Sequence, residues 1–145
     1  VIKVLIQAEA GSHERVQYDE KTLTPSGIRR VSRPYPYPYG FVIATTTEDG
    51  DNIDCYILNS DQPTPGSIVG CEPIGLLEQW EADQSDHKVL AVMPGGNISI
   101  PEKTLEIFQD FIYGVFSEYP EITVTVGPIH SRKAALRYLS MYEDA

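Results

Sequence analysis

Ile2, Val4 and Ile6 alternate with Lys3, Leu5 and Gln7, a period of two that predicts a strand with one wetter face, spoiled only by Leu5. Gly11, Ser12, Pro25, Ser26 and Gly27 then break the pattern and predict loop, with a short strand over 15–18 between them. The run Arg33-Pro34-Tyr35-Pro36-Tyr37-Pro38-Tyr39-Gly40 excludes helix, because its prolines fix φ and push their predecessors into extended geometry. Short apolar or β-branched runs follow at 41–46, 55–58, 67–71, 74–77 and 89–93, each bounded by Gly, Pro, Asn or Asp, and each predicts a strand. Helical spacing is confined to the last third. There Ser99-Ile100-Pro101-Glu102 reads as a capping box, and Leu105, Phe108, Ile112, Val115 and Phe116 recur on one face until Tyr119-Pro120. Ile122, Val124 and Val126 alternate with threonines as a further strand, and Ser131 caps a final helix to about Tyr142 with Ala135, Leu136 and Leu139 inward. The pattern predicts an α+β fold, a small β-barrel or sandwich with helices packed on one side.

The length of 145 residues suits one domain, 1–145, with one core of ordinary size. No apolar run approaches the roughly 18 residues of a membrane span, and Val1 to Ile6 carry no basic lead, so the expectation is a soluble, unexported, cytoplasmic chain. Eleven Lys and Arg against 21 Asp and Glu give a net charge of −10, a field that repels polyanions and disfavours nucleic acid and acidic membranes. A small anionic substrate remains open if metal ions and a few clustered cations reverse the sign locally. Cys55 and Cys71 lack CxxC spacing and read as buried, reduced thiols.

The densest chemistry is Asp49-Gly50-Asp51-Asn52-Ile53-Asp54. Asp49 and Asp51 share one side of an extended chain, and a turn over 50–53 brings Asp54 to join them. Close carboxylates repel one another, and a hard divalent cation removes that cost. The plain alternative is a solvated hairpin tip built on Asp-Gly. A calcium EF-hand is excluded, since its loop needs an oxygen ligand at Ile53 and glycine at Asp54. His13, His87 and His130 lie too far apart in sequence for a zinc motif, and neither a GxSxG elbow nor a phosphate-cradling glycine loop is present. Magnesium fits what remains. The segment 81–88 adds Glu81, Asp83, Asp86 and Lys88, while Tyr35, Tyr37 and Tyr39 offer phenol donors and Arg29, Arg30 and Arg33 concentrate positive charge.

In order and spacing, Tyr35-Pro36, Tyr39-Gly40, Asp49-Gly50-Asp51, Asp54, Pro73, Gly75, Asp86 and Lys88 resemble the soluble, magnesium-dependent inorganic pyrophosphatases of the single-domain β-barrel kind. The resemblance implies an OB-like barrel of mixed and antiparallel strands and hydrolysis of pyrophosphate to two phosphates. It implies two or more Mg2+ ions, with Mn2+ as a substitute, held by Asp49, Asp54, Asp86 and Glu81. Asp51 would accept a proton from the metal-bound nucleophilic water, and Arg15, Arg30 (or Arg29, because the alignment has a gap), Tyr39, Lys88 and Tyr119 would hold phosphate oxygens. A homo-oligomer, hexamer or dimer, is implied as well.

The chain also departs from that family. Leu5 and Gln17 stand where the family has glutamates, Arg15 and Pro120 where it has lysines, Glu81 where it has aspartate, and Asn52 where it has proline or glutamate. These changes imply reduced efficiency. They also motivate two rival readings: a catalytically weak or inactive metal- or phosphate-binding or structural subunit, and a hydrolase of a larger phosphoanhydride.

Overall fold

The computed structural model of the chain describes residues 1–58 and 62–145. Its elements are β1 (Ile2–Ala8), β2 (Glu14–Asp19), β3 (Thr24–Arg30), β4 (Tyr39–Val42), β5 (Asp54–Ile57), β6 (Ile68–Glu81), β7 (Gln84–Ser85), β8 (Lys88–Val92), α1 (Thr104–Phe116), β9 (Val124–His130) and α2 (Arg132–Tyr142). Strand β1 pairs antiparallel with β4, β4 with β5, and β6 with β8, while β5 and β8 run parallel. Because β6 also returns to β1, with Ile2 opposite Cys71 and Leu5 opposite Ile68, the five strands close into a barrel of mixed direction. Closure removes the free edges along which sheets associate. Hairpin β2–β3 forms a separate two-stranded ribbon, and β9 adds to the far part of β6.

Every residue of β4 and β8 is buried because both faces of these strands are covered. Cys55, Ile57, Val89 and Ala91 face a cluster completed by Ala135 and Leu139 of α2. Tyr56, Leu58, Leu90 and Val92 face the other, completed by Phe108 and Ile112 of α1. Both cysteines are buried and free. No helix among the described residues is long and apolar enough to cross a membrane.

Several expectations are corrected. The runs 67–71 and 74–77 belong to one strand, β6, whose register shifts between Pro73 and Gly75, so the missing proline N–H falls where the ladder is already interrupted. The breakers at 25–27 sit inside β3, which is exposed throughout and belongs to a ribbon that needs no apolar face. Strand β4 stops at Val42: Ala44 takes φ 63°, and Thr45 pairs with Glu143 instead. The wetter face of β1 is dry beyond Lys3, with Leu5 and Gln7 buried and Gln7 Nε2 donating to Val16 O at 3.1 Å. Helix α1 has no capping box. Asn97 Oδ1 accepts from Ser99 N, Pro101 opens a turn closed by Thr104 N, and Lys103 at the N-cap makes no side-chain cap. Ser131 does cap α2, accepting from Ala134 N at 3.3 Å, but Leu136 is 44% exposed and turns outward. Ile122 lies outside β9.

Candidate active site and metal centre

Parallel pairing of β5 with β8 sets Asp54 opposite Lys88, so a carboxylate and an ammonium, each opening its strand, meet at one mouth of the barrel. Lys88 Nζ lies 2.5 Å from Asp54 Oδ2 and 3.1 Å from Asp86 Oδ2. Lys88 is 5% exposed. Burial pulls its ammonium down, but Asp54, Tyr39 and Asp86 more than reverse this and hold its pKa well above the usual lysine range.

The acidic loop connects β4 to β5 as a wide excursion and not as a two-residue hairpin tip. Its turn spans Thr47–Asp51, with Thr47 N donating to Asp51 O at 2.8 Å, and Gly50 takes φ 90° within it. Asp49 Oδ1 accepts from Thr47 Oγ1 at 2.5 Å and from Asp51 N at 2.9 Å, a local Asx-type arrangement that fixes its carboxylate. The turn therefore precedes the expected 50–53 position, and Asp54 arrives on β5 itself. Across the mouth, the β6–β7 hairpin turns at Ala82, with φ 56°, and presents Glu81 and then Asp86.

A cleft of about 630 Å³ collects these groups. Asp49, Asp51, Asp54, Glu81, Asp86, Lys88, Arg15, Tyr39 and Tyr119 all line it. Arg30 does not, whereas Arg29 does. The reason is strand parity: in the β2–β3 ribbon Arg15 is opposite Arg29, and Arg30 is opposite Glu14 on the other face. Two guanidinium groups directly opposite one another cost stability unless an anion lies against both. Tyr39, 4% exposed, stacks on Tyr35 at 5.2 Å between ring centres, and Arg15 and Lys88 lie 5.7 and 5.9 Å from its ring. Tyr37 packs instead against Phe108 in the core, and Arg33 lies against Gly114 of α1.

Glu20 escapes notice in the sequence. It lines the same cleft from the tip of the β2–β3 ribbon, and its Oε1 accepts from Asn52 N at 2.9 Å. The usable signal is Asp19, whose Oδ1 accepts from Lys21 N and Thr22 N and marks 19–22 as a hairpin turn with Glu20 at its tip. Asn52 is 3% exposed and serves as the buried anchor between that tip and the acidic loop. Leu5 lies in the core and lends the cleft no charge, while Gln17 lines it and accepts from Arg15 Nε at 3.1 Å.

The electrostatics of the cleft show too much negative charge. Burial, then Asp49 and Asp54, raise the Asp51 carboxyl. Burial and a hydrogen bond with Asp86 push Glu81 up to about 7, and burial pushes Glu20 up to about 7 despite the Asn52 N–H. Among the described residues no three His, Cys, Asp or Glu side chains converge on one point tightly enough to enclose an ion, because Lys88 takes the position between Asp54 and Asp86. A set of hard carboxylate oxygens with this surplus charge suits a hard divalent cation.

A family model described as inorganic pyrophosphatase matches residues 4–125. The inorganic pyrophosphatase of Nostoc sp. is 38% identical over 95 residues, covering 63% of this chain and 56% of that one. The match thus spans little more than half of that relative's length. The inorganic pyrophosphatase of Saccharolobus solfataricus is 30% identical over 129 residues, covering 83% of this chain and 75% of that one. The solved inorganic pyrophosphatase from Thermus thermophilus superposes with a TM-score of 0.83 at 26% identity, over 95% of this chain and 86% of the other. The match of residues 4–125 and the alignment over 83% of the chain place this protein in the inorganic pyrophosphatase family.

Proposed function

We propose that this chain, acting as one domain, hydrolyses inorganic pyrophosphate to two phosphates with the help of Mg2+, two ions or more, Mn2+ serving as a substitute. The observation that carries the proposal is the meeting, in a single cleft, of Asp49, Asp51, Asp54, Glu81 and Asp86 with the paired guanidiniums of Arg15 and Arg29 and the buried Lys88. Asp49, Asp54, Glu81 and Asp86 would hold the ions, whose chemistry is to neutralise phosphate charge and polarise phosphoryl oxygens. Arg15 and Arg29 would bind phosphate oxygens through planar, forked donors, and Lys88 and Tyr39 through single donors at the floor. Arg30, turned to the opposite face of the ribbon, drops out in favour of Arg29. Tyr119 would close the side nearest α1.

Asp51 would take the proton from the attacking water. Its raised pKa supports that role, because a base whose affinity for a proton lies nearer the operating pH transfers it more effectively. The water would add to one phosphorus as the bridging P–O bond breaks, and the second phosphate would depart with the electron pair of that bond.

A second reading, a binding subunit with little or no turnover, is favoured by two observations. Leu5 lies in the core and Pro120 is exposed, so neither position lends the cleft a charge. The two readings part in one experiment: calorimetry with Mg2+ together with phosphate release from pyrophosphate, for the wild type and Asp86→Asn. The enzyme reading expects Mg2+ binding, release abolished by chelation, and about a 10-fold or greater loss in Asp86→Asn, as for loss of a charge-assisted contact at the transition state. Binding without release selects the subunit reading. The proposal extends to a cytoplasmic homo-oligomer, hexamer or dimer, which exposed Ile28, Ile98 and Met141 support as apolar contact points.

A further inference from the structure

The tip of the β2–β3 ribbon reaches the acidic loop and holds the peptide group that joins Asp51 to Asn52. The carbonyl of that group, Asp51 O, accepts from Thr47 N at 2.8 Å. Its N–H, on Asn52, donates to Glu20 Oε1 at 2.9 Å. The Asn52 side chain removes the remaining slack: Oδ1 accepts from Lys21 Nζ at 2.5 Å, and Nδ2 donates to Val42 O at 3.0 Å. Lys21 Nζ also donates to Thr45 O at 2.9 Å and to Thr46 Oγ1 at 2.6 Å. An ammonium with three donors and three acceptors around it is fully used.

The ribbon that supplies Glu20 and Lys21 also carries Arg15 and Arg29 into the cleft. One hairpin therefore carries the cations that would hold phosphate and bonds the backbone on either side of Asp51. We propose that Glu20, Lys21 and Asn52 are positioning residues, which keep the Asp51 carboxylate in register with a phosphate held by Arg15 and Arg29.

This inference rests on Asp51 as the proton acceptor. A base works only within hydrogen-bond reach of its proton, and a displacement of about 1 Å costs on the order of 10²-fold in rate. Substrate affinity depends on the arginines and Lys88, which lie outside the acidic loop, and on ions that saturating Mg2+ keeps bound even where Asp49 shifts. The signature of a lost clip is therefore a fall in kcat at nearly constant KM.

The test is steady-state pyrophosphate hydrolysis with saturating Mg2+ by wild type, Lys21→Met, Lys21→Arg, Asn52→Ala and Thr22→Ala, each below its own melting temperature. Lys21→Met is expected to lose about tenfold or more in kcat with KM within about twofold, and Lys21→Arg to recover most of the loss. Thr22, in the same turn, whose hydroxyl donates to Thr24 Oγ1 at 2.9 Å, is the control, and Thr22→Ala is expected to match wild type. Asn52→Ala follows Lys21→Met if it folds; Lys21→Met decides the matter if it does not. A Lys21→Met protein that melts lower yet keeps its kcat has lost only a structural contact and overturns the inference. A rise in KM at unchanged kcat overturns it as well. Wild type that releases no phosphate overturns the functional reading and the clip with it, whereas active wild type with unaffected Lys21→Met overturns the clip alone.

Discussion

Glu20 and Glu81 carry the clearest imprint of the site's unbalanced charge. Each has a folded-state pKa pushed up to about 7 from an ordinary value of 4.5. Between those values the folded chain binds a proton that the unfolded chain has released, so stability present at the acid end is lost as pH rises through 7. His87, whose pKa burial lowers, pulls the other way between its folded and ordinary values. The metal-free melting temperature of Glu81→Gln is therefore expected to fall less than that of wild type between about pH 5 and about pH 8. Mg2+ held by Glu81 as proposed would compete with its proton, and the stabilising effect of the ion on wild type is expected to grow over the same range. Thermal scans at fixed ionic strength, with and without the ion, check both slopes. Equal slopes for the two proteins would show that Glu81 carries no raised pKa. At this scale the sequence was legible in residue type and order, as for Asp49, Asp51, Asp54, Asp86 and Lys88, which line one cleft, although the turn that carries Asp49 and Asp51 comes earlier than their spacing predicts. It was illegible where partners are remote: the bond from Asn52 to Glu20 joins positions 32 apart. The choice of Arg29 over Arg30 needed the register of a strand that its own glycine and proline disguised.

Strands β4, β5 and β8 could be read from their apolar runs because burial on both faces leaves little room for any other composition. Boundaries were another matter. Strand β6 appears as two runs since a bulge at Pro73 and Gly75 re-aims it between neighbours, and the start of α1 was displaced by a turn at Pro101 that mimics a first helical turn. The expected capping box at Ser99 and Glu102 lies ahead of the N-cap, Lys103, whose side chain makes no cap. Element closure also hangs on a glycine with ordinary φ. A Cβ at Gly40 would run into the carbonyl of Leu5 and approach Ile6 Cα at 3.1 Å, because β1 and β4 meet there in the barrel wall. Gly40→Ala is expected to destabilise the fold by about 3 kcal/mol or more, as overpacking against rigid backbone does. Urea unfolding measures the loss, and a change below about 0.5 kcal/mol would mean that the wall yields there.

The whole molecule carries a net charge of −10, yet the function proposed for it is to take in a polyanion. The fold resolves the conflict by geography. Closure of the barrel through β1 and β6 gathers the ends of β5 and β8, the acidic loop and the β6–β7 turn at one mouth. The β2–β3 ribbon brings two guanidiniums to the same place. Metal ions on the carboxylates would complete the reversal of sign, leaving the rest of the surface acidic. The most direct measurement is phosphorus NMR of pyrophosphate incubated with the purified chain and Mg2+, beside Asp51→Asn. Wild type is expected to convert the pyrophosphate signal steadily to orthophosphate, and Asp51→Asn to do so about 10²-fold or more slowly, the range of a positioned general base. A pyrophosphate signal that persists with wild type, or conversion at the same rate by Asp51→Asn, would contradict the proposed function.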